Sequence, residues 1–217
     1  MKLTKRWKVA QYFEIRWWRK YLQHKNPEEY LLSKKKYWSS FLGQLSTEIE
    51  INEKTKILDV GAGPAGIFIL WDKNKIDAID PLFDKYETHI PHFTKKLYKN
   101  VTFYTTPIEG FSTPQKYDLI FCLNAINHFI DVENSLQILA HLLAPEGFLV
   151  ISVDTHSMLF LRPLFKTLQL DILHPHQFGL NEFLETIKKM EEFKIGEVIL
   201  SKRGFLFNLH TIVLKKK

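Results

Sequence analysis

The chain has 217 residues, a formal net charge of +6 and a hydrophobic fraction of 45%. This length suits one domain with at most a small appendage, and the composition is too apolar for a disordered protein. The single cysteine, Cys122, excludes an internal disulfide framework and a cysteine-based zinc site. It fits a reducing compartment, so we expect a cytoplasmic protein.

The N-terminal segment MKLTKRWKVAQYFEIRWWRK is basic and aromatic. Its charges interrupt every apolar run, so we expect neither a signal peptide nor a membrane span. Together with the lysine tail at 215–217, it could attract RNA, an anionic substrate or a membrane surface. We favour the ordinary interpretation, which is a solvated surface.

Two helices are predicted near the N-terminus, Val9–Gln23 and Pro27–Leu45. Between them, Asn26 can cap the second helix and Pro27 can begin it. Aromatic side chains recur mostly every three or four residues and form an apolar stripe opposite Lys and Arg. We therefore divide the chain into a helical cap or lid, residues 1–48, and a larger ligand-binding domain, residues 49–217.

From Lys56 onward, short apolar runs alternate with longer amphipathic ones such as Val132–Leu143. This alternation predicts an α/β fold with a parallel sheet and helices on both faces, a doubly wound arrangement. Nearly unbroken apolar runs such as YDLIFCL agree, because parallel strands are buried on both sides. The predicted parallel strands are Ile57–Val60, Ile76–Ile79, Val101–Thr105, Tyr117–Leu123 and Phe148–Val153.

The last two strand-like runs, Phe193–Ser201 and Phe205–Leu214, are separated by KRG. This spacing predicts a hairpin, so the two strands should be antiparallel to each other. The expected sheet has seven strands and is mostly parallel, with an antiparallel C-terminal strand.

A glycine-rich turn lies in KILDVGAGPAGIFIL, residues 56–70, between a predicted strand and a predicted helix. Such a turn places backbone N–H groups and a helix N-terminus at the carboxyl edge of the sheet, where ligands bind. Asp80 ends the next strand, in KIDAID, at the spacing where a carboxylate accepts hydrogen bonds from ribose hydroxyls. The sequence therefore predicts a ligand that carries a nucleoside.

Three features favour S-adenosylmethionine over a dinucleotide. Asp59, two residues before Gly61, suits a ligand with an ammonium and a sulfonium and would repel a pyrophosphate. The five parallel strands and the hairpin leave no room for a separate substrate domain. The fourth strand ends in CLNAINHF, which places polar residues at the same edge.

Four segments, in order, resemble motifs of class I S-adenosylmethionine-dependent methyltransferases of the small-molecule type. ILDVGAGPAG is similar to the first motif, and IDAID to the ribose-binding second motif. KYDLIFCLNAINHFID is similar to the fourth strand and its loop. LLAPEGFLVIS is similar to the turn and fifth strand, with Glu146 in place of one glycine. The resemblance covers about residues 50–214 and implies a Rossmann-like fold.

The resemblance also implies which residues contact the cofactor. Asp80 would hold the ribose, and Asn124 would lie near the reactive methyl group. YTTPIEGF would supply the adenine contact, where the family often has Asp and this chain offers Thr106, Ile108 or Glu109. The ordinary interpretation of Asp59 and Asp80 is turn or helix-capping work. The candidate cofactor-binding residues are Asp59, Gly61, Ala62, Gly63, Asp80, Pro81, Leu82, Thr106, Ile108 and Asn124.

Methyl transfer needs the nucleophile in line with the methyl group and about 3 Å away, in a dry site, and often a base. His128 and His176 are the first candidates for the base, and His174 is the third. Each could equally be a structural histidine. His156, His174, His176 and Asp154 could bind a metal, but they lack a signature spacing, so we expect none.

The acceptor site is predicted between the HPHQF loop and the N-terminal helices. The aromatic residues of those helices more readily serve packing, although an aromatic lid would exclude water. The candidate acceptor-binding residues are Trp17, Trp18, Tyr30, Trp38, Asn127, His156 and Gln177.

The favoured function is methyl transfer to an O, N or C atom of a small molecule, by a monomer or homodimer. The alternative is methylation of RNA or protein. The basic N-terminus favours it, and the reading NAIN where base methyltransferases have (D/N)PP(Y/F) opposes it, so we do not expect a nucleic-acid partner. A non-catalytic S-adenosylmethionine-binding protein and a dehydrogenase are the remaining hypotheses.

Overall fold

A seven-stranded sheet organises the described part of the chain. The structure is a computed structural model that describes residues 5–45, 48–156, 178–205 and 207–217. The strand order is β3-β2-β1-β4-β5-β7-β6. Strands β1 to β5 run parallel, and β7 is antiparallel to both of its neighbours. The strands are β1 (Ile57–Val60), β2 (Ile76–Ile79), β3 (Val101–Tyr104), β4 (Tyr117–Leu123), β5 (Leu143–His156), β6 (Phe193–Lys202) and β7 (Phe207–Lys216).

Helices cover both faces of the sheet, because side chains of the central strands alternate between two buried clusters. In β1, Ile57 faces the cluster beneath α1, α2 and α3, whereas Leu58 faces the cluster beneath α4 and α5. The doubly wound sheet with an antiparallel C-terminal strand is confirmed. The helices are α1 (Lys5–Leu22), α2 (Pro27–Leu42), α3 (Phe83–His89), α4 (Val132–Leu142) and α5 (Leu180–Lys188).

The segment after β1 differs from the prediction. Instead of an α-helix, it forms two short 3₁₀ turns, Gly63–Ala65 and Ile67–Leu70, separated by an extended Gly66. The Asp59 carboxylate accepts the backbone N–H of Phe68 at 3.1 Å. This side chain competes for a backbone donor that a helix would use, which favours the interrupted geometry.

The N-terminal helices share the core of the sheet. Tyr30, Trp38 and Phe41 of α2 lie in the same buried cluster as Ile57 and Phe121. The predicted boundary near residue 48 therefore separates two segments with a common core, and it stays a prediction. Helix α2 begins as predicted, because the Asn26 side chain accepts the N–H groups of the first turn.

The remaining differences are at element ends. β5 continues beyond the predicted Val153 because it pairs with β7 as far as His156. Helix α2 ends at Leu42, directly before Gly43. None of the helices in the described residues combines the length and apolar character needed to cross a membrane.

Candidate functional site

A narrow cleft lies where β1, β2 and β4 end, beneath α1. The carboxyl ends of parallel strands meet at one edge, and this brings residues from distant parts of the sequence together. Six of the ten predicted cofactor residues line the cleft: Gly61, Asp80, Pro81, Thr106, Ile108 and Asn124.

Close packing explains two of the glycines in the first turn. Gly61 has φ +67°, and a Cβ atom there would lie 2.2 Å from Cβ of Ala125, in the loop after β4. A Cβ atom at Gly66 would lie 2.4 Å from Oδ2 of Asp59. Both positions need glycine for contacts within the protein itself.

The backbone N–H groups of this turn bond within the protein. Gly61 and Ala62 donate to the carbonyl of Ile79 at 2.8 and 3.2 Å. Gly63 donates to Oδ2 of Asp80 at 2.9 Å. The prediction that these donors face the ligand is therefore corrected: they attach the turn to the end of β2 and hold Asp80 in place.

Asp80 is the buried carboxylate of the cleft. Its Oδ1 accepts the N–H of Leu82 at 2.8 Å, and its Oδ2 accepts that of Gly63. Burial raises the pKa of Asp80, and its hydrogen bonds with the backbone of Leu82 and Gly63, together with the neighbouring Tyr86 side chain, act in the opposite direction. Each carboxylate oxygen can accept a second hydrogen bond, so Asp80 retains acceptor capacity toward the cleft.

The other four predicted cofactor residues lie behind the cleft wall. Asp59 is buried beneath the turn, where burial raises its pKa to about 7, and it bonds Phe68. Leu82 packs in the core cluster beneath α1 to α3. Ala62 and Gly63 belong to the turn itself and do not line the cleft. The position of Asp59 therefore fits the ordinary interpretation, in which this side chain supports the turn.

The Oε1 atom of Glu109 is occupied by hydrogen bonds within the protein and so does not offer a contact to adenine. This oxygen accepts the N–H groups of Ile130 and Asp131 at 2.7 and 3.2 Å and the hydroxyl of Ser135 at 3.0 Å. Glu109 thereby fixes the start of α4, and of the three alternatives only Thr106 and Ile108 line the cleft.

Helix α1 contributes two cleft residues that the sequence analysis did not identify, Gln11 and Glu14. Gln11 Nε2 donates to Glu14 Oε2 at 3.1 Å, and the same oxygen lies 3.9 Å from Nδ1 of His128. Burial raises the pKa of Glu14, and the neighbouring charge of Asp80 raises it further. Glu14 is the only acidic residue in α1 and lies on its inner face. A lone acid among buried positions was the sequence signal that could have identified it.

The loop after β4 forms the opposite wall. His128 lines the cleft, with its side chain about 22% exposed. Asn124 has φ +54°, and its backbone N–H donates to Ser152 Oγ at 2.8 Å. Asn127 is buried and exchanges two 3.3 Å hydrogen bonds with the backbone of Asp154, so it fastens this loop to β5.

None of the four candidate lid aromatics lines the cleft. Trp17 is exposed, whereas Tyr30 and Trp38 are buried in the core. Trp38 Nε1 donates to the carbonyl of Ala65 at 3.0 Å and thus supports the turn. Trp18 packs edge-on against Tyr86. Tyr30 and Trp38 thus pack between helix and sheet rather than over the cleft, whereas a lid role of Trp17 and Trp18 stays a prediction.

The remaining candidates are placed as follows. His156 is buried beside the ring of Phe207, away from the cleft. His174, His176 and Gln177 lie outside the described residues. Within the described ranges, no three His, Cys, Asp or Glu side chains are grouped to hold a metal ion.

The space between α1 and the sheet edge is small. The cavity there has a volume of about 60 Å³, which is enough for a few water molecules. Sites for drug-sized ligands are several times larger. A nucleoside would therefore need more space than lies between α1 and the sheet edge in this structure.

The sequence of residues 28–190 matches the protein family described as Methyltransferase domain. The match runs from the start of α2 to just beyond α5 and covers more than half of the chain. A comparison with curated proteins finds no match.

The fold is similar to those of several solved methyltransferases. The N-methyltransferase NodS from Bradyrhizobium japonicum WM9, in complex with S-adenosyl-L-homocysteine, has a TM-score of 0.56 and 15% identity, covering 75% of this chain and 78% of that chain. The 1,6-didemethyltoxoflavin-N1-methyltransferase of Burkholderia thailandensis, solved with 1,6-didemethyltoxoflavin and S-adenosylhomocysteine, has a TM-score of 0.61 and 14% identity, covering 100% and 92%. Magnesium protoporphyrin IX methyltransferase from Synechocystis PCC 6803, solved with bound SAH, has a TM-score of 0.53 and 15% identity, covering 87% of this chain and 83% of that chain. At these identities the similarity concerns the fold.

Proposed function

Because the chain belongs to the methyltransferase-domain family, we propose that it transfers the methyl group of S-adenosylmethionine to a small-molecule acceptor. The observation that carries this proposal is the buried Asp80 carboxylate at the end of β2, held by Gly63 and Leu82 and exposed to the cleft. Its remaining acceptor capacity fits a ribose hydroxyl. Small-molecule substrates are named for the similar Burkholderia and Synechocystis enzymes.

The lining residues suggest how the cofactor would lie. Asp80 would bind the ribose, with Pro81 beside the adenine. Thr106 and Ile108 would meet the far side of the adenine, and Asn124 would lie close to the sulfonium. Asp59, Ala62, Gly63 and Leu82 would act from behind by holding the turn and Asp80 in position.

The acceptor would approach from the side of His128. When a cationic ligand in the cleft favours the ionised form of Glu14, its Oε2, 3.9 Å from Nδ1 of His128, can stabilise a protonated imidazole and thereby help this histidine accept a proton from the nucleophile. Deprotonation would be needed for an oxygen or nitrogen nucleophile, and the transfer itself is an in-line displacement at the methyl carbon. His174, His176 and Gln177 remain proposed contributors to the acceptor side.

We place this activity in the cytoplasm on the basis of Cys122. It is the only cysteine of the chain and is buried as a free thiol in β4, which is compatible with a reducing compartment.

Transfer of a labelled methyl group tests the proposal. The protein would be incubated with methyl-labelled S-adenosylmethionine and a metabolite extract, and the label would be followed into small-molecule, RNA and protein fractions. We expect label in the small-molecule fraction, reduced at least tenfold by Asp80→Asn. Asp84→Asn, an exposed aspartate of α3, is the matched control. Label in RNA or protein would contradict the small-molecule class, and transfer that is unchanged in Asp80→Asn would contradict the site.

A further inference from the structure

The outer face of α1 exposes a continuous apolar stripe. Its members are mostly three or four residues apart and so lie on one side of the helix, opposite the buried Ile15 and Leu22. Single exposed apolar side chains are common, but five on one helix form a patch that calls for a partner. The stripe consists of Val9, Tyr12, Phe13, Trp17 and Tyr21, each between 43% and 52% exposed.

This stripe is interleaved with positive charge and carries no negative charge. The Arg16 guanidinium lies 5.5 Å from the ring of Tyr12, and Lys25 lies 4.4 Å from that of Tyr21. The only carboxylate of α1, Glu14, faces the cleft on the other side of the helix. The exposed cations in and just after α1 are Lys8, Arg16, Arg19, Lys20 and Lys25.

We propose that α1 docks the protein on an anionic lipid bilayer. An amphipathic helix lies in the membrane interface when one face combines Trp, Tyr and Phe with Lys and Arg, because the rings enter the headgroup region and the cations meet lipid phosphates. The outer face of α1 has this composition from Lys8 to Tyr21.

Two other occupants fit the surface less well. Single-stranded nucleic acid binds in basic grooves with aromatic platforms, whereas this surface is the convex side of one helix. A second copy of the chain would bring two cationic stripes into contact, and their like charges would repel.

Docking by α1 would also position the cleft relative to the membrane, an inference that rests on the proposed methyl transfer. The inner face of the same helix supplies Gln11 and Glu14 to the cleft. A docked helix would therefore hold the cleft about one helix diameter, ~10 Å, from the bilayer surface, where an acceptor bound to lipid is concentrated.

Vesicle flotation tests the proposal. The full chain would be mixed with vesicles of phosphatidylcholine alone or of phosphatidylcholine and phosphatidylglycerol. Two α1 variants separate the contributions: Val9→Ser/Phe13→Ser removes apolar area, and Arg16→Glu/Lys20→Glu lowers the net charge from +6 by two units per reversal, to +2. We expect binding to the anionic vesicles only, weakened at least tenfold in each variant.

Matched controls change the same chemistry elsewhere. Lys75→Glu/Lys99→Glu also gives +2, but these exposed lysines precede β2 and β3, at the edge opposite the cleft. Val198→Ser/Leu200→Ser removes exposed apolar side chains from β6. Both controls should retain vesicle binding. Circular dichroism and S-adenosylmethionine affinity would be measured for every variant, so that loss of docking is distinguished from failure of the proposed enzyme function.

Three results would overturn the proposal. One is the absence of binding to anionic vesicles. Another is an equal loss of binding in the α1 variants and their controls. The third is binding of the wild type to single-stranded RNA, lost in the α1 variants, without binding to vesicles, which would identify the surface as a nucleic-acid site.

Discussion

Two carboxyl groups from distant parts of the sequence face each other in the cleft. Asp80 follows β2, and Glu14 comes from α1. Burial raises the pKa of both carboxyl groups, and the charge of Asp80 raises the pKa of Glu14 further. The pair thus favours a shared proton over two negative charges, and a cationic ligand would relieve the same repulsion.

The pair predicts a pH-dependent effect of Glu14→Gln on stability. A group whose folded-state pKa is raised stabilises the fold below its unfolded-state pKa, and this contribution is lost as the pH rises through the folded-state value. The wild type should therefore lose stability between pH 5 and pH 9 relative to Glu14→Gln. We expect the variant to melt within about 1 °C of the wild type at pH 5 and ~2–4 °C higher at pH 9, which corresponds to about 1 kcal/mol.

Thermal melts at the two pH values provide the measurement, with the exposed Glu29→Gln of α2 as control. A melting difference for Glu14→Gln that does not change with pH would show that folding does not raise the pKa of Glu14.

The first glycine of the turn predicts a second residue-level effect. In Gly61→Ala, a left-handed backbone and a contact with Ala125 would together cost about 2–4 kcal/mol. Gly43→Ala is the matched control, since Gly43 has φ −67° and a Cβ atom there would lie 3.6 Å from its nearest neighbour. Urea unfolding should show a large loss for Gly61→Ala and none for Gly43→Ala. Similar stabilities for both variants would mean that Ala125 does not hold the turn in this geometry.

Among the helices and strands, the sequence pattern best predicted the strands that are buried on both faces. The bounds of β1, β2 and β4 match the prediction residue for residue, because these strands are apolar runs bounded by polar or turn residues. The prediction of a helix after β1 is wrong, because the Asp59 side chain accepts a hydrogen bond from the backbone N–H of Phe68. That contact depends on tertiary geometry and leaves no periodic signal.

The role of α1 was also only partly predictable. Its amphipathic pattern indicated a helix that covers the sheet, and the structure places it over the cleft. The pattern did not indicate which inner residue reaches Asp80, because periodicity defines a face of the helix but not the depth to which one side chain enters. Glu14 therefore entered the site only with the structure.

The small volume beneath α1 makes a kinetic prediction. If α1 must move before the cofactor binds, the observed rate of S-adenosylhomocysteine binding should level off at high ligand concentration, at the rate of helix opening. Stopped-flow fluorescence can follow this step through Trp18, which packs on Tyr86 near the cleft. The signal should persist in Trp17→Phe and fall in Trp18→Phe. A rate that rises linearly with concentration throughout would contradict a required opening of α1.

For the whole molecule, the order of elements was the most informative feature. Five parallel strands followed by a hairpin predicted the mixed seven-stranded sheet, and the family match and the similar folds confirm the resemblance to class I methyltransferases. The same topology explains why residues as distant as Gly61, Asp80 and Asn124 meet, since their strands end at one edge. The acceptor is less predictable, because it depends on helix and loop side chains that no topological rule places.

Calorimetric titration with S-adenosylmethionine and S-adenosylhomocysteine is the most direct test of the central claim, which is that Asp80 anchors the cofactor in this cleft. We predict micromolar binding of both compounds by the wild type and by Asp84→Asn, at least tenfold weaker binding by Asp80→Asn, and no binding of NADH. Absence of binding to a folded protein, or equal affinity of Asp80→Asn and wild type, would contradict it.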